Sequence, residues 1–512
     1  MPKSNSEDLF HLIKSLSKSE KRHFKIFSSN GIAKKENNYV KLFDAIERQA
    51  IYDEDQLIKK EKYIKQLPLL KSRLYEIILQ SLNVLHANSS VEAILMNYQH
   101  RIEILYEKGL HQQAHKLLNK AKQMAYKYEK HSNLFEIFSW ERAMIHHLFA
   151  GKKTELQKGF DEIFEEKNKS LSKLGTMSSF QHVSDSILAL YTEKGSPRNN
   201  EELKSFRQAM DPFSNYKTDH LTYEEKKYYY SAYGSYFYAI EDWKNSHENF
   251  QEVVKLIESH PEKKEKSYRQ YISLLSNLLT VCQYLRKDDE ILLTLKKMRK
   301  IPITSLIDEV KIFERSYNFE LSYYILSGDF EKGLHVIKDI EAGLQKFKNH
   351  LNSALELVLY DHISNIYFGI GQYKKALFWL NKILNYPEFN LREDVYCYAR
   401  IYNLIIHYEL DNNDLMEYTV KSTFRFLHKR NRLYKFENII LDFIGKKLPK
   451  LISSKQQIFA FKELKKKLEI AVKDPYEEKA LDYFDFISWL KSKIENRSFA
   501  EIVKEKAYNK NS

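Results

Sequence analysis

The sequence predicts an all-α chain: a small helical bundle, then an α-solenoid of stacked antiparallel helical hairpins, then basic helices that close the array. Three observations predict it. The 13 glycines and 9 prolines are only about 4% of 512 residues, against roughly 12% in average proteins, and strand-and-turn folds need those residues at their corners. Bulky apolar residues recur in steps of three and four, the spacing of one helix face. A turn-plus-helix pattern recurs at a period near 43 residues, and such a length exceeds one ordinary core. Hydrophobic residues, 43% of the chain, suffice to bury a core.

Residues 1–90 have their own texture. Ser17 and Glu20 are spaced as a capping box, Asp53 and Gln56 can open another helix, and Pro68 suits the first turn of a long helix through Leu85. Helices near 39–50, 53–62 and 67–86 are expected to form a three-helix bundle, the last with Lys71 and Arg73 near its start. That order invites a helix-turn-helix reading, in which the bundle touches DNA and the repeats sense a partner. Against it, Lys60–Gln66 is longer than the turn of such motifs, lacks glycine, and nothing after His86 reads as a wing.

Residues 91–430 carry the repeat. Gly371-Gln-Tyr373-Lys-Lys-Ala376 has counterparts beginning at Gly328, Glu241 and Gly109, with weaker copies at Gly151, Gly195, Lys287 and Asn413. The steps run from 41 to 46 residues, giving eight units of nearly constant length. Before each corner lies a helix with a bulky stripe, such as Tyr360, Ile363 and Tyr367, or Tyr230, Tyr233 and Phe237. A small residue (Ser364 or Gly234) sits beside the stripe. After the corner a small residue (Ala114, Ser246, Gly333 or Ala376) precedes a large one by four (Leu118, Phe250, Ile337 or Leu380), so that two helices can interdigitate. Pro261 and Pro387 close two units.

This pattern resembles the tetratricopeptide repeat, most closely over Tyr360–Pro387, although these units are about nine residues longer than the usual 34. The resemblance implies a right-handed solenoid whose first helices line a concave, partner-binding groove. Carried over by position, the groove lining is Tyr228, Ser235, Tyr238, Asn318, Ser322, Asp361 and Asn365. The carboxylate clamp known in that family is not reproduced: Asp361 stands where its lysine is expected, although Asn365 matches an asparagine.

Catalytic and cofactor motifs are missing from the pattern. Gly369-Ile370-Gly371 has Lys374 in place of a third glycine and follows a helix, so it reads as a hairpin corner rather than a dinucleotide loop. His111 and His115 lie four apart as in helical zinc sites, but Gln112 replaces the glutamate, and His111 fills a slot that packing explains. Ala150–Thr154 has His146 where a phosphate loop needs glycine. The expectation is a non-enzyme with no metal and no cofactor, acting as a protein-binding scaffold. Two cysteines without a CxxC pair, no secretion signal and no apolar run of spanning length point to the cytoplasm. The net charge of +13 is uneven: residues 420–512 hold 22 basic and 12 acidic side chains. Such basic termini can meet nucleic acid, an anionic membrane or an acidic protein. Residues 431–512, with helices near Phe436–Ile444, Gln456–Val472 and Glu478–Ile494, are expected to cap the array.

Overall fold

The structure is a computed structural model that describes residues 7–31, 38–61, 63–64, 66–148, 153–194, 196–197, 200–213, 216–303, 305–348, 350–387, 392–430, 432–451 and 453–511. The chain is all-α, as expected, and no strand occurs among the described residues. It divides into two compact units, Met1–Ser267 and Tyr268–Ser512. No described helix is long and apolar enough to cross a membrane.

In the first unit α1 (Asp8–Ser15), α2 (Lys18–Gly31), α3 (Asn38–Arg48), α4 (Glu54–Lys60) and α5 (Leu67–Leu85) share a core that includes Ile13, Phe24, Phe43, Leu74 and Ile78. Two helices thus join the three expected ones. Their ends are fixed locally. Glu20 N–H donates to Ser17 Oγ at 3.3 Å and Ser17 N–H to Glu20 at 2.7 Å, closing the capping box. Gln56 N–H donates to Asp53 at 2.8 Å.

Next come α6 (Val91–Glu107), α7 (His111–Lys127), α8 (His131–Leu148) and α9 (Lys153–Lys194). The corners expected at Gly151 and Gly195, and most of the Ala150–Thr154 stretch, lie outside the described residues. Between them a hairpin was expected, and the structure has instead one helix of 42 residues. The cause is local: no proline interrupts Lys153–Lys194, and Gly175 lies mid-helix with open space beside it, so nothing stops the helix. The unit ends with α10 (Asn200–Met210), α11 (Tyr223–Ala239), α12 (Trp243–Glu258) and the short α13 (Pro261–Lys264).

The second unit is built of hairpins: α14 (Tyr268–Tyr284) with α15 (Asp288–Arg299), α16 (Leu306–Ser327) with α17 (Phe330–Lys346), α18 (Ser353–Gly369) with α19 (Tyr373–Leu384), and α20 (Glu393–Glu409) with α21 (Asn413–Lys429). Then follow α22 (Lys435–Asp442), a π-turn at Phe443–Lys447, α23 (Ser454–Ala471), α24 (Pro475–Glu478), α25 (Phe486–Glu495) and α26 (Phe499–Asn511).

The corners share one backbone device. At Gly109, Glu241, Arg286, Gly371 and Asp411 the chain turns left-handed, with φ of 71°, 61°, 54°, 74° and 54°. The next N–H reaches back five residues, as from Gln372 to Tyr367 O at 2.9 Å or from Asp242 to Phe237 O at 2.9 Å. This is the Schellman closure that ends a helix with its last carbonyls satisfied. The expected corners at Lys287 and Asn413 therefore shift to Arg286 and Asp411, because the left-handed residue stands two before the following helix. A side chain in that conformation costs about 1 kcal/mol that glycine avoids. Glu241 is exposed at its corner. Glu241→Gly is expected to raise unfolding free energy by about 1 kcal/mol and Gly371→Ala to lower it by a similar amount, as read by urea titration.

Small-against-large packing holds within the hairpins. A β-carbon on Gly234 would stand 2.7 Å from the Phe250 ring, and Ser246 Oγ donates to Gly234 O at 2.8 Å. Ser364 Oγ repeats this toward Ala376 O at 2.9 Å. Ala114, Gly333, Leu118, Ile337 and Leu380 are likewise buried. The stripe Tyr230, Tyr233 and Phe237 is only half-buried, since α11 packs against both α9 and α12 and gives those contacts its smaller residues Ala232, Gly234 and Ala239 with Tyr236. His111 stacks on His147 with ring centres 3.7 Å apart, consistent with a packing role.

Both thiols are free and buried, and burial pushes Cys282 up to about 12 and Cys397 up to about 11. A thiol that stays protonated is a poor nucleophile. Both are expected to resist a disulfide reagent at pH 8 and to react fully once urea unfolds the chain.

Candidate functional site

Of the seven expected groove residues, three lie in the first unit, all half-buried on α11. Thr222 and Glu225 start this helix with a capping box, and the buried Glu225 carboxylate also takes Lys173 of α9 at 2.9 Å. Tyr228 and Ser235 are seven residues apart and so share a face, with Tyr238 beside them. Tyr238 meets Tyr191 edge-on at 5.6 Å and Trp243 at 5.4 Å. Burial raises the Tyr228 hydroxyl above its ordinary value, with the Glu224 carboxylate adding to it. Nearby, Glu129 accepts the Glu224 N–H at 3.0 Å and Lys263 at 2.8 Å. Burial works to raise the Glu129 carboxyl, but these donors hold it below the carboxylate range.

The other four lie in the second unit on two successive first helices. Ser322 is half-buried on α16, while Asn318 of α16 and Asp361 and Asn365 of α18 are buried. Asn318 Nδ2 donates to Glu314 O at 2.8 Å and to Leu355 O at 3.3 Å, tying α16 to α18. Its Oδ1 is buried without a donor. Asn365 Nδ2 donates to Asp361 Oδ2 at 3.2 Å and to Tyr483 O at 3.3 Å. The expected open lining is therefore covered at Asn365, and what covers it is the chain's own C-terminal segment.

That segment meets three first helices. On α20, Tyr483 stacks on Tyr398 at 4.2 Å, Phe484 stacks on Tyr402 at 4.5 Å, and Trp489 Nε1 donates to Glu409 at 2.6 Å. On α18, Phe368 receives the edges of Phe484 at 5.0 Å and Phe499 at 5.4 Å. At the end of α16, Lys504 pairs with Asp329 at 2.8 Å, and Phe499 lies 5.7 Å from Phe330. The helices expected only to cap the array also line it. Tyr483, Phe484, Phe486 and Trp489 were missed, although four aromatics within seven residues are a dense signal for a segment that buries itself.

Acidic groups lie under and beside this segment. Burial pushes Asp361 up to about 7 and, with Arg392, pushes His362 down to about 4. Burial also raises the Glu437 carboxyl. Asp394 behaves oppositely: burial would raise it, but Arg392 at 2.7 Å and the Tyr483 hydroxyl at 2.6 Å hold it below its ordinary value. A cavity of about 670 Å³ opens among the α16 and α18 corners, Trp489 and Phe499. The cations on its wall are all engaged: Lys332 and Lys504 with Asp329, Lys493 with Glu409, and Arg497 with Glu505. At the N-terminal bundle Lys71 is tied to Glu54 at 3.4 Å and lies over the Tyr52 ring at 4.9 Å, which leaves Arg73 as the exposed cation at the start of α5.

Compared with protein-family models the sequence matches none, and no curated protein matches it either.

Proposed function

We propose that this chain is a non-enzymatic scaffold: a tetratricopeptide-like, right-handed solenoid whose first helices hold a protein segment. One observation carries the reading, namely the seating of residues 483–504 on α20, α18 and the end of α16. Rings stacked on rings and lysines set on carboxylates are the ordinary means by which helical repeats grip a peptide, because aromatics bring large contact area at low entropic cost. The favoured partner chemistry is a segment whose closely spaced aromatic anchors are followed by lysines, as in Tyr483–Lys493. Tyr228, Ser235 and Tyr238 offer a second, half-buried face in the first unit.

The test uses the full chain with a protease site inserted between Lys473 and Asp474, both exposed. After cutting, the C-terminal piece is expected to stay bound at micromolar concentration and to exchange with a fluorescent peptide of residues 474–511. Tyr398→Ala with Tyr402→Ala is expected to speed its release. A piece that falls away at once, or that never exchanges in the folded chain, overturns the reading.

A further inference from the structure

The C-terminal charge is concentrated more narrowly than its total suggests. Residues 420–473 hold 15 basic and 4 acidic side chains, whereas residues 474–512 hold 7 and 8. The excess therefore falls on α21, α22, the π-turn and α23, not on the segment that seats itself on the first helices.

On α23 the excess is ordered. Ala460, Phe461, Leu464, Leu468 and Ala471 are buried. At 100° per residue, Lys455, Lys462 and Lys466 fall within about 20° of one line on the opposite side, and Lys473 follows just past the helix end at Ala471. All four are exposed, and no described carboxylate pairs with them. Phe459, Ile470 and Ile458 lie within about 60° of that line and are 66%, 52% and 37% exposed. Two acids lie in or beside this arc, Glu469 about 40° and Glu463 about 80° from the lysine line, and each is already engaged by a lysine outside it: Glu469 by Lys465 at 2.7 Å, and Glu463 by Lys447 of the π-turn. The stripe therefore presents three uncompensated positive charges interleaved with bare apolar side chains. On α21, Tyr418 is 71% exposed beside Arg425 and Lys429, while Lys421 is paired with Glu417 of the same helix at 2.5 Å.

We propose that the outward face of α23 docks on an anionic lipid bilayer. A helix of 18 residues offers roughly 27 Å of straight, convex contact, which suits a plane. Lysines reach phosphate headgroups through flexible stems while Phe459, Ile458 and Ile470 enter the headgroup–acyl boundary. Nucleic acid is the poorer fit. The stripe has no arginine and one aromatic ring, so it offers neither a bidentate phosphate fork nor a stacking platform. This places the scaffold at a membrane surface without a spanning segment, and goes beyond its peptide-holding role.

Co-sedimentation of the full chain with phosphatidylcholine vesicles, with and without 30% phosphatidylglycerol, tests it at 0.1 M and 0.5 M salt. Binding is expected only to the anionic vesicles, weakening as salt rises. Lys455→Gln, Lys462→Gln and Lys466→Gln combined are expected to weaken it about 100-fold, and Phe459→Ser several-fold in a manner that salt does not mask. These positions are exposed, so thermal melts are expected to match the parent chain. No vesicle binding, vesicle binding that survives the triple variant, or retention of a 20-nucleotide strand without vesicle binding would each overturn the proposal.

Discussion

Asp361→Asn is expected to stabilise the protein at pH 8 by about 2–4 kcal/mol and to change it little at pH 4. The carboxyl sits at about 7 in the folded chain against an ordinary 3.8, and burial is the leading cause. Between those values the native state holds a proton that the unfolded chain has released. Stability therefore falls as pH rises through this window, and the cost is complete above about pH 7. Asparagine keeps an acceptor for Asn365 Nδ2 and has no proton to lose. His362 carries the opposite sign. Its ring is pushed down to about 4, so its contribution is lost as pH falls from 6.5 toward that value. It is only half-buried, and its effect is the smaller of the two. The Asn variant should consequently show a profile that bends the other way, losing stability toward pH 4.5. Urea titrations at pH 4.5, 6 and 8 check it, and an equal gain at every pH would refute the assignment of cost to the ionised carboxyl.

The helical texture and the corners were legible because they rest on local rules. Too few glycines and prolines for sheet corners, bulky residues in steps of three and four, and Gly109, Gly328 and Gly371 each state a backbone requirement in one residue. Arg286 and Asp411 occupy the same left-handed slot without the glycine that announces it, so the repeats there were read one and two residues late. The long α9 was missed for a related reason: spacing suggested a corner, but a helix ends only where something ends it, and Lys153–Lys194 contains no such residue. The burial of Asp361 and Asn365 was not legible at all. It depends on Tyr483, more than a hundred residues away, and no periodicity within α18 records that contact. The aromatic density of 483–489 signalled burial, but not the surface that receives it.

Phe484→Ala is expected to cost about 3–5 kcal/mol, and where that cost falls bears on the scaffold reading. The ring is 3% exposed. It stacks on Tyr402 at 4.5 Å and Phe499 at 5.5 Å and meets Phe486 at 4.9 Å, so its removal leaves a void between the C-terminal segment and α20. Neighbouring attachments remain: Trp489 and Lys493 on Glu409, Lys504 on Asp329. If the segment is a held ligand, the loss should open it locally, since regions attached through few contacts unfold below the global free energy. Amide exchange should then quicken across α25 and α26 while α16 through α19 keep their protection, and a peptide of residues 474–511 should bind the variant more readily than the parent. Uniform loss of protection across the second unit would make the segment an inseparable part of that core. Trp489→Phe is the milder companion: it keeps most of the packing and removes only the indole donor to Glu409, for about 1–2 kcal/mol. The local opening should scale accordingly, because Lys493 continues to satisfy the carboxylate.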